Sequence, residues 1–344
     1  MPATVPLTTV PLTTLTTPVT STPSRLALMT DQQQLPPGWT QPAGAPYPIP
    51  SGWPGATQGN RLGEPRNPVI PDCRPGPFVW RDLLAVLGYV LLFLLGLGAL
   101  MLFIPGFVSF SAWLVGTDPV SVEDLARGVF PVEIGFAVNL INYLIMTVLV
   151  LIAAGPTLLS SLRSFRRLWP LKLLMIPAIW FGTIIINLVV TVLIGEVPSS
   201  ENQLVLEEMT TVAPFWLMFI TVVICGPLVE EYIFRHLLIG KLSRWVTVWV
   251  SVPISVITFS LLHFIGAGQF NIIETIPYAV MGLAFSLVYT LMKFSLAFSY
   301  VQHAFNNAVS VCLLYLTPAE LLEQGREQLG AAWWFTIAPW AGLA

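Results

Sequence analysis

Of 344 residues, 55% are hydrophobic and only 10% are charged. A soluble domain carries roughly 25% charged residues, so the composition excludes an ordinary globular protein and places the chain in a membrane. The net charge is −3 and no basic stripe exists outside short loops, which excludes nucleic acid as a partner.

Residues 1–77 hold more than half of the 30 prolines, with threonine repeats such as VPLTTVPLTTLTT. So few apolar side chains cannot recover the entropy of ordering, and a disordered Pro/Thr-rich cytoplasmic tail is expected there. The segment lacks a basic stretch followed by an apolar one, so it does not read as a signal peptide; Met29 is an alternative start. Residues 78–344 read as a transmembrane bundle. Apolar runs occupy 83–104, 134–158, 173–194, 214–240, 246–265, 272–292 and 296–316, and a short Trp-rich piece follows at 331–344. Because about 20 apolar residues cross a bilayer, the expected fold class is all-α, a polytopic helix bundle of seven spans, or eight if the last piece crosses. Cys73, Cys225 and Cys312 are far apart and lack CxxC spacing, which suggests neither disulfides nor a thiolate zinc site.

Loop charges support the count. The first loop carries Asp118, Glu123, Asp124 and Glu133 against Arg127, and the third carries Glu196, Glu201, Glu207 and Glu208. The second has Arg163, Arg166, Arg167 and Lys172; Lys241 and Arg244 follow the fourth span and Lys293 the sixth. Basic loops alternate with non-basic ones, and the positive-inside rule then puts the N-terminus in the cytoplasm.

The stretch GPLVEEYIFR, residues 226–235, sets Glu230, Glu231 and Arg235 inside the fourth run. Ionisable side chains at that depth mark a functional site by default. Glu231 and Arg235 are four apart and can pair on one helix face, in a catalytic or a purely structural role. Glu230 points about 100° away and lacks a partner on its own helix, which makes it a candidate proton acceptor. Gly226-Pro227 can break the helix and widen the space beside it. Phe259 and His263 are four apart in the next run, and His303 and Asn307 repeat that spacing in the seventh, with Asn306 able to replace Asn307 on a slightly rotated helix. His236 reads as interfacial. A glutamate, two imidazoles and an amide are the parts needed to activate water and stabilise an oxyanion.

These motifs, Glu230-Glu231-x-x-x-Arg235, Phe259-x-x-x-His263 and His303-x-x-x-Asn307, resemble those of the CPBP intramembrane proteases. That family includes type II CAAX prenyl endopeptidases, Abi proteins and bacteriocin-processing proteins. The resemblance covers residues 170–320, with His236 a departure where the family usually has glycine. It implies Glu230 as general base with His263 assisting, His303 and Asn307 as the oxyanion site, and Glu231, Arg235 and Phe259 in support. The family has been described both as metal-dependent and as glutamate-activated. A zinc reading would use Glu230, His263 and His303 as ligands, but no HExxH motif is present, and no obligatory metal is expected.

The leading reading is therefore a multi-pass intramembrane endopeptidase acting on a membrane-associated protein or peptide in a bacterial cell membrane. The alternatives are a proton-coupled transporter and a catalytically silent scaffold or immunity protein. One tension accompanies all of them. At 1.5 Å per residue, Glu230 lies ~20 Å and His263 ~30 Å from the turn near Ser243, while His303 lies ~15 Å from Lys293. Straight upright helices would keep the three apart, so tilt, a break at Gly226-Pro227 or a kink at Pro253 must close the gap. The orientation is testable by labelling single cysteines in a variant lacking Cys73, Cys225 and Cys312. A cysteine at Arg166 should react with an impermeant maleimide only after lysis, and one at Glu201 in intact cells.

Overall fold

The computed structural model describes residues 71–128, 130–194, 201–263 and 272–318. Most of the expected tail and the whole Trp-rich piece at 331–344 lie outside the described residues. Within them every regular element is a helix. Helix α1 (Trp80–Leu94) starts where Asp82 reaches back to accept the Val79 N–H at 2.6 Å, a carboxylate on the orphan donors of a helix N-terminus.

The first apolar run was expected to be one span, but it is broken. The chain bends by 66° between α1 and a 3-10 segment, Leu97–Phe103. Gly96 makes the corner at φ 63°, a left-handed backbone that glycine adopts without steric cost. Gly98 then lies flat against Asn142, so a Cβ there would sit 2.3 Å from the Asn142 amide nitrogen. Two short helices, α2 (Phe107–Val115) and α3 (Val122–Ala126), occupy what the sequence suggested was a plain loop.

Helices α4 (Val132–Arg166), α5 (Trp169–Ile194) and α7 (Phe215–Arg244) are each long and apolar enough to cross a membrane, and the bent pair at the N-terminus would make a fourth span. Between α5 and α7, α6 (Glu201–Val212) occupies the acidic segment that was expected to be a loop. Helices α8 (Val248–Leu262) and α9 (Thr275–Leu291) have 15 and 17 residues. At 1.5 Å per residue they reach only about 22 and 26 Å, short of a ~30 Å hydrocarbon core. Helix α10 (Leu296–Leu316) closes the described bundle and carries Gln302, His303, Asn306 and Asn307 along its middle. Each of the seven expected apolar runs is thus largely helical over its described residues, though not all are full-length spans.

Helix α7 runs through the interior and is packed on by α4, α8 and α10. Tyr89 of α1, Tyr143 and Met146 of α4, Val229 and Phe234 of α7, Phe259 of α8 and Phe285 of α9 form the largest apolar cluster. Helices α4 and α5 instead turn Leu144, Val148, Leu151, Phe181, Ile185 and Val189 outward, the apolar face that a bilayer requires.

The helix α7 does not break at Gly226-Pro227, as the sequence suggested it could. It changes pitch there. Residues Phe219–Cys225 and Glu231–Lys241 are π-helical, with an α-helical turn, Gly226–Glu230, between them. The Gly226 N–H bonds the Thr221 carbonyl five residues back. In the same register Pro227 should serve Val222, but proline has no N–H to give. The wider helix absorbs the proline while keeping the chain continuous.

We expect Gly98→Ala to destabilise the fold by about 1–3 kcal/mol, since the buried Asn142 side chain must move to admit a methyl group. Thermal unfolding of purified protein in detergent measures this, with Gly155→Ala, where a Cβ meets open space, as the neutral control.

Candidate active site

Two adjacent turns of α7 put Glu230, Glu231 and Arg235 in the interior, with 1%, 0% and 0% of their surfaces exposed. Charges so placed need partners, because desolvating each ion costs several kcal/mol. Arg235 Nη1 lies 3.2 Å from Glu231 Oε1, and Nη2 donates to the Gly282 carbonyl at 3.4 Å. The guanidinium also lies over two aromatic rings, Phe259 at 4.4 Å and Phe285 at 5.3 Å. Such stacking favours a desolvated arginine. Gly282 makes the first of these contacts possible, since a Cβ there would sit 3.0 Å from the Phe259 ring.

Glu231 is the hub. Besides Arg235 it accepts hydrogen bonds from His303 Nδ1 at 2.9 Å and from the Ser299 hydroxyl. Ser299 and His303 are four apart on α10, so one helix face delivers both donors. Because a carboxylate only accepts, the hydrogen on Nδ1 fixes the histidine tautomer. His303 Nε2 then faces Glu230, 3.7 Å from Oε2, and makes no hydrogen bond among the described residues. The other Glu230 oxygen accepts from the Tyr143 hydroxyl at 3.4 Å.

His263 is the residue that ends α8. Its Nδ1 donates to the Phe259 carbonyl at 2.7 Å, leaving Nε2 as a buried acceptor with no hydrogen bond among the described residues. The ring packs on Tyr278 at 4.2 Å and edge-on against Phe259 at 4.7 Å. Phe259 in turn lies 6.5 Å from His303, and Phe285 stacks on His303 at 4.5 Å. His263 therefore joins the cluster through the Phe259 ring. Helix α8 begins at Val248, so His263 lies about 22 Å along it rather than the ~30 Å counted from Ser243.

Asn307 does something the sequence did not suggest. Its Nδ2 donates to the Val222 carbonyl at 2.9 Å, the acceptor left without a donor by Pro227. Asn306 Nδ2 donates to Asn307 Oδ1 at 3.3 Å and orients the amide. Tyr143, Ser299, Phe285 and Tyr278 were missed by sequence reasoning. Ser299 alone had a legible signal, one turn before His303. His236, expected at the interface, is instead 1% exposed and stacked on Tyr232 at 5.1 Å.

A helix bundle with an apolar outer face and a buried carboxylate–imidazole–guanidinium cluster defines an integral-membrane protein. The family described as type II CAAX prenyl endopeptidase Rce1-like matches residues 212–309. The chain is 30% identical over 166 residues to the membrane-embedded CAAX protease MroQ of Staphylococcus aureus strain USA300, covering 46% of this chain and 63% of that protein. It is also 29% identical over 145 residues to an uncharacterized protein of Mycoplasma capricolum, covering 40% of this chain and 41% of the relative. The similarity thus spans less than two thirds of either relative. No solved structure matches the chain.

Two outcomes test this geometry by thermal unfolding. Glu231→Gln leaves Arg235 buried without its counter-charge and should cost about 3–5 kcal/mol. Asn307→Ala leaves the Val222 carbonyl bare and should cost about 1–3 kcal/mol. Adding Pro227→Ala supplies an N–H for that carbonyl and should return part of the stability lost with Asn307.

Proposed function

We propose that this protein is an intramembrane endopeptidase in which Glu230 activates water to hydrolyse a peptide bond of a membrane-associated protein or peptide. The observation carrying this reading is the approach of the buried Glu230 carboxylate to His303 Nε2, at 3.7 Å. The pair is close enough to hold one water between its polar atoms. Arg235 is taken by Glu231, so Glu230 is the glutamate left to act as a base.

In this reading Glu230 takes a proton from water while the oxygen adds to the scissile carbonyl. The resulting oxyanion would meet the second N–H of Asn307 and, once Nε2 is protonated, His303. Collapse breaks the C–N bond, and the proton held by Glu230 passes to the leaving amine. His263, with Nδ1–H committed to a carbonyl, offers Nε2 as a second acceptor for the water. Glu231, Arg235 and Phe259 hold these groups in place. An apolar cavity of about 170 Å³ between α1, α7 and α8, lined by Tyr89, Phe234 and Leu262 among others, gives room for an apolar part of the substrate beside the motifs. The bacterial relatives favour a bacterial cell membrane as the location, with the N-terminus on the cytoplasmic side by loop charge.

The reading includes no obligatory metal. Among the described residues no group of three or more His, Cys, Asp or Glu side chains is placed to hold a metal ion, and the His303 Nδ1 bond to Glu231 leaves Nε2 open. A zinc set of Glu230, His263 and His303 is the alternative, since Nε2 of each imidazole makes no hydrogen bond among the described residues, and no step is assigned to it.

Glu230→Gln should reduce cleavage by about a hundred- to ten-thousand-fold with normal membrane insertion. The measurement compares the membrane proteomes of wild-type and Glu230→Gln strains for a protein that accumulates uncleaved; identical proteomes would overturn the reading. Cleavage of that protein by purified enzyme should be unchanged by a chelator. Loss of activity restored by Zn2+ would replace the metal-free mechanism.

A further inference from the structure

A second buried polar cluster lies on α7, beyond the motif residues. Asp82 of α1 is fully buried, and its two oxygens are used separately. Oδ1 accepts from the Tyr232 hydroxyl at 2.6 Å, and Oδ2 pairs with Lys241 Nζ at 2.5 Å. The segment before α1 is drawn into the same contact. Lys241 Nζ also donates to the Pro77 carbonyl at 3.3 Å, and a Cβ on Gly240 would sit 2.6 Å from Pro75.

Tyr232 and Lys241 are nine residues apart on α7. At 100° per residue in an α-helix, that spacing puts them on opposite faces. On a π-helix, with i→i+5 bonds and about 4.4 residues per turn, they fall within about 20° of one another. One carboxylate can therefore hold both only while Glu231–Lys241 stays π-helical. Long π-helices are rare, and this one begins at the glutamate that binds Arg235 and His303. Relaxation to α-helix would swing Arg235 by about 70° relative to Glu231, away from the Phe259 and Phe285 rings.

We propose that Asp82 is a positioning residue: by bridging Tyr232 and Lys241 it locks the π register of α7 and so aims Glu231 and Arg235 at His303. The consequence for catalysis rests on the peptidase reading; the register itself does not.

The test uses the full-length protein in detergent with two measurements. Amide hydrogen exchange is followed over residues 231–241 and, as a reference, 296–316. Cleavage is followed on the protein that accumulates in the Glu230→Gln strain. Asp82→Asn and Lys241→Met should each speed exchange in 231–241 by about tenfold or more, with little change in 296–316. Both should lower kcat with KM nearly unchanged. The exchanged pair, Asp82→Lys with Lys241→Asp, should recover much of both losses, which a merely space-filling role would not. Tyr232→Phe, which removes one hydrogen bond and no charge, should give a smaller effect of the same kind and serves if the charge variants do not fold. Wild-type exchange in Asp82→Asn, or in Tyr232→Phe where only that variant folds, would overturn the proposal. Glu230→Gln should abolish cleavage at wild-type exchange. If it cleaves normally, the peptidase reading fails while the exchange data still decide the register.

Discussion

The arrangement depends on keeping one guanidinium charged where water is absent. Arg235 is wholly buried, and a lone ion there would be prohibitively costly. Its solution draws on its own helix and two others. Glu231 supplies the counter-charge, α8 and α9 supply the Phe259 and Phe285 faces, and the Gly282 carbonyl takes one N–H. Because Glu231 also receives Ser299 and His303, the same pairing fixes α10 against α7. Glu230 lies beside this group, with its carboxylate against Tyr143 and His303.

The pitch of α7 is the second constraint. A π-helix has poorer packing around its axis than an α-helix and persists only where surroundings demand it. Here the demands are visible at both ends. Pro227 removes a backbone donor in the first π segment and Asn307 replaces it from α10. Asp82 holds the second segment from α1. The amide that the family resemblance implied as an oxyanion donor is therefore a structural partner of α7, with a second hydrogen left on its nitrogen.

Helix α8 illustrates how a span can serve a site by being short. Counted from Val248, where it starts, it carries His263 about 22 Å along its axis. It stops at Leu262, so His263 sits at its end, and the Phe259 ring links it to the imidazole on α10. Phe259 thereby contacts Arg235, His263 and His303 at once, which gives that motif position a physical reason to be a flat, apolar, polarisable side chain.

The sequence by itself determined the membrane environment, the seven apolar runs and the ionisable residues set within them. These follow from local chemistry: apolar length sets the environment, and ionisable residues in such runs are too costly to be incidental. The i,i+4 spacings of Glu231–Arg235 and of His303–Asn307 were equally legible, since helical periodicity is written into the chain. Only the tertiary structure decided the 66° break at Gly96, the π register of α7, the early end of α8 and the parts played by Tyr143, Ser299 and Asp82. Each of these depends on a partner from a distant helix, and no local pattern encodes a contact between residues as far apart as Asp82 and Lys241.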